Sequence, residues 1–258
     1  MILCLDVGNS HIFGGVFANN VTQLRFRYSS EKVGTSDQLG LFFRQVLREN
    51  GIDPSGIQSI ALSSVVPSID YSIIAACIKY FSIEPFLLKA GVKTGLKINI
   101  INPAELGADL IATAIGAIEQ FPQRDLIVLD LGTAITMSAI LADKTFLGCV
   151  IMPGMKTAVT ALAQKAAKLP VVDIIRLEKT HIRNSVQSIQ TGIYFGQLGA
   201  IKEIIARLKQ EHFAGKQPLV LATGGFAHLF DQQHLFTVNI PDLVLHGLRI
   251  AMQKNQFN

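Results

Sequence analysis

The chain has 258 residues, and 23 Lys and Arg against 19 Asp and Glu leave a net charge of +4. Hydrophobic residues make up 49% of the sequence, which excludes a disordered chain, because disorder needs low hydrophobicity and high net charge. The basic residues form no run or stripe of the kind that marks a nucleic-acid-binding surface, so no nucleic-acid partner is expected.

No segment predicts a membrane span or a signal peptide, so no membrane partner is expected either. The most apolar stretch, residues 126–142, contains Asp130 and a turn-like Gly-Thr pair, whereas a span needs about 20 residues with few or no charges. Asp6 interrupts the apolar run at the N-terminus, and no Lys or Arg precedes that run. Three widely spaced cysteines without a Cys-x-x-Cys pair indicate reduced thiols in a cytoplasmic protein: Cys4, Cys77 and Cys149.

Short apolar runs alternate with longer segments of helical period, the pattern of an α/β protein. Strands are predicted at residues 2–5, 14–17, 22–28, 59–66, 126–130, 136–141, 145–150 and 219–222. Helices are predicted at residues 38–50, 102–120, 154–168, 185–210 and 243–254. The helix expected from Asn102 has Pro at its first position and Glu at its third, which are residues favoured there.

Residues 2–10 and 127–133 share one pattern: an apolar strand, an aspartate, an apolar residue, a glycine and a small polar residue. The two aspartates, Asp6 and Asp130, are separated by about half of the chain. We therefore interpret the chain as two similarly built α/β halves, residues 1–120 and 121–258, with a cleft between them.

Each copy of this pattern can bind phosphate. The strand holds the carboxylate rigidly, the glycine admits a ligand close to the backbone, and the following amides and hydroxyls can hold phosphate oxygens. The carboxylate can in turn hold a cation against those phosphates. A single copy could equally be an aspartate that caps a tight turn, but two copies favour a pair of phosphate-binding loops. The sequence contains neither a P-loop nor a strand-anchored GxGxxG motif.

Asp109 is the candidate general base. It follows Gly107 and Ala108 in the second turn of the predicted helix, where small neighbours leave room for a ligand. An aspartate in a helix of Leu, Ile and Ala is costly to bury unless it is paired or functional. A solvent-facing aspartate is the alternative to a base that activates a hydroxyl nucleophile. Two further glycine segments, residues 148–154 and 219–226, are weak signals by themselves.

The sequence resembles the type III pantothenate kinases, a family of the acetate/sugar-kinase, Hsp70 and actin fold superfamily. The matching motifs follow one another in order along nearly the whole chain, and they are specific as a set although each is short. They lie at residues 6–10, 63–67, 102–109, 130–134, 148–154, 168–170, 184–185, 192–196, 222–225 and 247–249.

The resemblance implies a homodimer whose subunits consist of two RNase H-like α/β halves with a nucleotide cleft between them. It implies that ATP phosphorylates the primary hydroxyl of pantothenate, the first step towards coenzyme A, with Asp109 as the base. Thr133 would contact ATP, Asp130 would hold a monovalent cation, K⁺ or NH₄⁺, and Asp6 would hold Mg²⁺ through the phosphates. The ATP-binding segment would be Asp6, Val7, Gly8, Asn9, Ser10, His11, Ile12 and Phe13. The pantothenate-binding residues would be Gly107, Ala108, Asp109, Leu110 and Ser185.

The departures from the family pattern cluster at the expected substrate site. Leu110 stands where the family has Arg, Ile100 where a Tyr is expected, and Ser185 where a Thr follows Asn. On the nucleotide side, Ile135 replaces a Thr and Cys149 a Gly. Losing a charge-assisted hydrogen bond to a substrate carboxylate costs about 1.5–3 kcal/mol, which is roughly 10- to 150-fold in affinity.

Two alternatives to a pantothenate kinase stay open from the sequence. A degenerate relative could bind nucleotide, or regulate through a protein partner, without efficient turnover; Leu110, Ile100 and Ile135 favour it, and the retained aspartates count against it. An RNase H-like nuclease could use the same aspartates to bind two metals. The weak positive charge and the Thr-Gly-Gly segment argue against that nuclease.

Overall fold

The computed structural model describes residues 1–256. Its helices are α1 (Ser36–Glu49), α2 (Pro67–Phe81), α3 (Ala108–Gln120), α4 (Met155–Lys165), α5 (Ser185–His212) and α6 (Leu243–Gln256). None of these helices, within the described residues, is long and apolar enough to cross a lipid bilayer. The chain divides into two compact units: unit 1 comprises residues 1–96, 101–120 and the segment from 242 onwards, and unit 2 comprises residues 97–100 and 121–241.

Unit 1 is built on a mixed five-stranded sheet. Its strands are β1 (Ile2–Val7), β2 (His11–Ala18), β3 (Val21–Ser29), β4 (Ser59–Ser64) and β5 (Phe86–Leu87). They lie in the order β3-β2-β1-β4-β5. Successive hairpins make β1, β2 and β3 antiparallel, and β4 then joins β1 in parallel on its other side.

Unit 2 repeats this arrangement. Its strands are β6 (Lys97–Ile98), β7 (Leu126–Leu131), β8 (Ala134–Ile140), β9 (Thr145–Pro153), β10 (Leu219–Thr223) and β11 (Val238–Asn239). They lie in the order β11-β10-β7-β8-β9-β6. Strands β7, β8 and β9 are antiparallel and β10 joins β7 in parallel, so β7 corresponds to β1 and β10 to β4. The α/β class with two similarly built sheets is confirmed. The compact units differ from the predicted halves 1–120 and 121–258, because residues 97–100 belong to unit 2 and residues 242–256 to unit 1.

Helices cover both faces of the unit 1 sheet, because residues along a strand point alternately to its two faces. Leu3 and Leu5 of β1 pack in the same core as residues of α1 and α2. Cys4 of β1 packs on the opposite face, in a core shared with α3 and α6. The last helix, although distant in sequence, therefore belongs to unit 1.

The helix predicted from Asn102 is wrong at its start. Residues Pro103–Glu105 form a single 3₁₀ turn, Leu106 is extended, and α3 begins only at Ala108. The Asn102 side chain donates to Glu105 Oε1 at 2.7 Å, and no cap hydrogen bond from its side chain is present. Gly107, a weak helix former, occupies the break. Asp109 consequently lies in the first turn of a separate helix rather than in the second turn of a longer one.

Candidate active site

A row of four side chains crosses the unit 1 sheet at the end of β1. Asp6 pairs with Ser63 on β4 and with Phe13 on β2, and Phe13 pairs with Arg27 on β3. Directly paired residues share a face of a sheet, and Phe13 packs in the core that contains α3. The row therefore lies on the face that α3 covers.

Two contacts hold this row in place. The Ser63 hydroxyl donates to Asp6 Oδ1 at 2.6 Å, and the Arg27 guanidinium lies 4.2 Å from the centre of the Phe13 ring. Burial, followed by the neighbouring charge of Arg25, lowers the pKa of Arg27. The sequence motifs predicted no role for Ser63 or Arg27. The motif at residues 63–67 was a signal for Ser63, whereas only the strand register reveals the position of Arg27.

The predicted ATP-binding segment is the hairpin that joins β1 to β2. The Gly8 N–H donates to the His11 carbonyl at 3.0 Å, and Ser30 Oγ donates to the Gly8 carbonyl at 2.6 Å, so the turn is held from two sides. Val7 and Ile12 are fully buried in the core that contains α1 and α2. These two residues can therefore meet a ligand only through their backbone.

Asp109 has the environment of a proton acceptor. It is half-buried, and its Oδ1 accepts the Leu110 N–H at 2.8 Å. Burial raises the pKa of Asp109 above its ordinary value, against the smaller opposing effects of the amides of Leu110 and of Asp109 itself. A carboxyl whose pKa moves towards the working pH is a more effective general base.

Gly107, the residue before α3, shows that Asp109 lies near the end of β4. A Cβ at Gly107 would collide with the Asp109 carboxylate, so any other residue there would require that carboxylate to turn away. The same Cβ would lie 3.6 Å from Cγ1 of Val65, the residue after β4. Since β4 carries Ser63, Asp109 lies at the same end of the unit 1 sheet as the Ser63–Asp6 pair.

In unit 2, three glycine segments converge on Asp130. A Cβ at Gly224, whose φ is +89°, would collide with the Asp130 carboxylate and lie 2.6 Å from the Leu131 nitrogen. A Cβ at Gly132 would lie 3.6 Å from Asp130 Oδ1, and one at Gly154 would lie 2.8 Å from the Thr133 carbonyl carbon. The two glycine segments that were weak signals by themselves thus form one cradle with the Asp130 loop.

The Thr133 backbone closes this cradle. Its carbonyl accepts the Gly154 N–H at 3.1 Å and the Thr157 hydroxyl at 2.6 Å, while Thr133 itself is exposed. The loop is therefore fixed through its backbone, and its exposed residue is accessible to a ligand.

The expected substrate residues fall in both units. Gly107 precedes α3 and residues 108–110 begin it in unit 1, whereas Ser185 is the exposed first residue of α5 in unit 2. Asn184 caps α5 by accepting the Gln187 N–H at 2.9 Å. Ile135, one of the departures on the nucleotide side, is 1% exposed and belongs to the unit 2 core, so its side chain serves packing.

The oxygen donors of the two loops fit the cations that the resemblance implies. Among residues 1–256, no group of three or more His, Cys, Asp or Glu side chains could hold a metal ion. Mg²⁺ fits this arrangement, because it commonly binds through one or two carboxylates, several waters and the phosphates of a substrate. The Asp130 carboxylate and the backbone oxygens around it are ligands that K⁺ accepts.

The two sheets share one arrangement of strands, and each has an aspartate and a glycine at the end of the corresponding strand, β1 or β7. This repetition defines a fold of the actin and sugar-kinase class. The structure of MreB 5 of Spiroplasma citri bound to AMPPNP is similar, with a TM-score of 0.55 and 10% identity over 98% of this chain and 97% of that one. This similarity supports the fold alone.

The sequence comparisons identify the family. The sequence model of the type III pantothenate kinases matches residues 2–207. Type III pantothenate kinase of Legionella pneumophila (strain Paris) is 55% identical over 255 residues, 99% of each chain. Type III pantothenate kinase 1 of Francisella tularensis subsp. holarctica (strain OSU18) is 48% identical over 256 residues, 99% of this chain and 100% of that one. This chain belongs to the type III pantothenate kinase family, as the resemblance predicted.

Proposed function

We propose that this protein transfers the γ-phosphoryl group of ATP to the primary hydroxyl of pantothenate, giving 4′-phosphopantothenate and ADP in the first step of coenzyme A biosynthesis. The observation that carries this proposal is membership of the type III pantothenate kinase family, with 55% identity to a relative of that name over 99% of the chain. Retention of all three aspartates, at positions 6, 109 and 130, supports a working kinase over a degenerate relative.

In this proposal Asp109 takes the proton of the attacking hydroxyl. The hydroxyl oxygen then forms a bond to the γ-phosphorus, the bond from that phosphorus to the β,γ-bridging oxygen breaks, and ADP leaves with the electron pair. The raised pKa of Asp109 favours proton uptake. Phosphoryl transfer of this kind is mostly positioning and charge neutralisation, which the rigid loops at Asp6 and Asp130 can supply.

Two loops are candidates for ATP binding in this proposal. The hairpin from Asp6 to Phe13 would offer backbone N–H groups to the phosphates, and Thr133 would contact ATP. Asp130 would hold K⁺ or NH₄⁺, and Asp6 would hold Mg²⁺ through the phosphates. When bound, Mg²⁺ neutralises charge on the β- and γ-phosphates.

We also propose a homodimer in the cytoplasm. Helices α4 and α5 border an apolar groove in unit 2 whose lining includes Leu162, Ile189 and Ile193. Leu162 is 40% exposed and the nearby Val186 is 43% exposed. Exposed apolar surface of this kind is commonly buried against a partner, and a second copy of this chain is the partner that the family resemblance implies. Sedimentation of the parent and of Leu162→Asp tests this, with a monomeric parent as the contrary result.

The decisive experiment measures ADP release with and without pantothenate, in the parent and in Asp109→Asn. The variant keeps the shape of the side chain and removes its basicity, so pantothenate-dependent turnover should fall by about 10²–10⁴. Nucleotide binding without pantothenate-dependent turnover in the parent would favour the degenerate relative. Near-parental turnover by the variant would exclude Asp109 as the base.

A further inference from the structure

Ser63 is a fully buried hydroxyl with a charged partner. It is 0% exposed, next to the buried Leu62 near the end of β4. Its hydroxyl donates to Asp6 Oδ1 at 2.6 Å, the short distance typical of a strong O–H···O⁻ hydrogen bond. A buried hydroxyl is costly without a partner, so the burial of Ser63 depends on the Asp6 carboxylate.

This bond constrains the orientation of the carboxylate. The χ2 angle of an aspartate is broad and poorly defined by sterics alone. The backbone fixes where Asp6 begins, because Asp6 and Ser63 pair in register between the parallel strands β1 and β4. The hydroxyl then fixes one carboxylate oxygen from the neighbouring strand, which leaves little rotation about χ2.

The same placement recurs in unit 2. Asp130 on β7 pairs in register with Thr223 on the parallel strand β10, as Asp6 pairs with Ser63. Thr223 is 3% exposed and is also a hydroxyl residue. A buried hydroxyl residue therefore lies beside Asp6 in unit 1 and beside Asp130 in unit 2. This repetition argues that the hydroxyls serve the aspartates and do not merely fill space next to β4.

We propose that Ser63 is a positioning residue whose hydroxyl holds the Asp6 carboxylate in the orientation that binding of Mg²⁺–ATP requires. This inference rests on the proposed function in one respect, namely that Asp6 faces the ATP phosphates. Ser63 is fully buried beside Asp6 on the neighbouring strand and acts through it. Removing the Ser63 hydroxyl should therefore weaken Mg²⁺-dependent nucleotide binding. Folding and pantothenate binding should change less.

The test uses calorimetric titration of a non-hydrolysable ATP analogue into the full-length parent, Ser63→Ala and Ser63→Thr. With Mg²⁺ present, Ser63→Ala should lower the affinity about tenfold, as expected for loss of a hydrogen bond to a charged group. In EDTA the affinity of Ser63→Ala should differ from that of the parent by less than about twofold, because no Mg²⁺ is then present for the Asp6 carboxylate to bind. Ser63→Thr retains the hydroxyl and should recover most of the Mg²⁺-dependent affinity.

Two controls separate positioning from a structural role. Ser138→Ala removes another buried hydroxyl, 4% exposed and located on β8, and should leave nucleotide affinity unchanged in both buffers. In an Asp6→Ala background, Ser63→Ala should have no further effect on Mg²⁺-dependent affinity, because residues that act through one another are not additive. In turnover assays Ser63→Ala should raise KM for Mg²⁺–ATP and leave KM for pantothenate unchanged.

Each outcome decides the inference. An equal loss of affinity with and without Mg²⁺, no loss at all, or an undiminished effect in the Asp6→Ala background would overturn it. A parent that binds Mg²⁺–nucleotide and shows the Ser63 effect, yet does not phosphorylate pantothenate, would support it and contradict the proposed function. A parent that does not bind Mg²⁺–nucleotide would overturn both.

Discussion

Helices α3 and α6 cross at two glycines, and adding one methyl group at this crossing should disturb both stability and catalysis. A Cβ at Gly247 would lie 2.5 Å from the Ala112 carbonyl carbon and 3.0 Å from the Gly116 nitrogen. Carbon atoms pack best at about 3.5–4.0 Å, so Gly247→Ala requires the two helix backbones to separate by at least about 1 Å. Both of these neighbours are backbone atoms of α3 and cannot rotate away.

The expected magnitude follows from this displacement. Overpacking of a core typically costs about 1–3 kcal/mol, and each kcal/mol lowers the melting temperature of a chain of this size by roughly 2–4 °C. Gly247→Ala should therefore lower the melting temperature by about 2–12 °C. Because Asp109 lies in the first turn of α3, a shift of about 1 Å should also reduce kcat, by up to about 10²-fold.

The assay is thermal unfolding together with steady-state turnover, with Gly199→Ala on α5 as the matched control. A Cβ at Gly199 meets nothing within 4 Å, so replacing glycine by alanine inside this helix should be neutral or stabilising by about 0.5–1 kcal/mol. If Gly247→Ala melted at or above the temperature of Gly199→Ala and kept its kcat, the close crossing would not position Asp109 as argued.

Three further predictions follow from the site. Replacing K⁺ by Na⁺ should strongly reduce turnover in the parent, and Asp130→Asn should make the rate nearly indifferent to K⁺; equal parental rates in both salts would remove Asp130 as the cation ligand. Leu110→Arg should raise pantothenate affinity at least about tenfold in calorimetry, whereas an unchanged tight affinity would place the substrate's cationic partner elsewhere. Because burial raises the pKa of Asp109 above its ordinary value of 3.8, the folded chain keeps the Asp109 proton to higher pH than the unfolded chain. The parent should therefore lose stability relative to Asp109→Asn as pH rises from below 3.8 through the folded-state pKa. If the melting temperatures of the two proteins changed in parallel across this pH range, the burial argument would be contradicted.

Local sequence signals were sufficient for most of the elements around the site. The apolar runs at residues 2–5 and 126–130 lie within β1 and β7, and the predicted helices at 154–168 and 185–210 overlap α4 and α5. These elements have strong periodic or apolar patterns and clear ends. Helix α2 was not predicted. Helix α2 buries Ile73, Ala76 and Cys77. Further apolar residues on either side of this buried face make the alternation of apolar and polar residues along the helix weak.

The sequence by itself determined the family, the two aspartate loops and Asp109 as the candidate base, because short motifs in a fixed order carry that information. The tertiary structure decided which side chains meet. Ser63 reaches Asp6 across 57 residues of chain, the Gly154 and Gly224 segments gather at Asp130, and α6 packs beside α3 within unit 1. Such contacts depend on strand register and helix packing between distant segments, and no local pattern of residues encodes them.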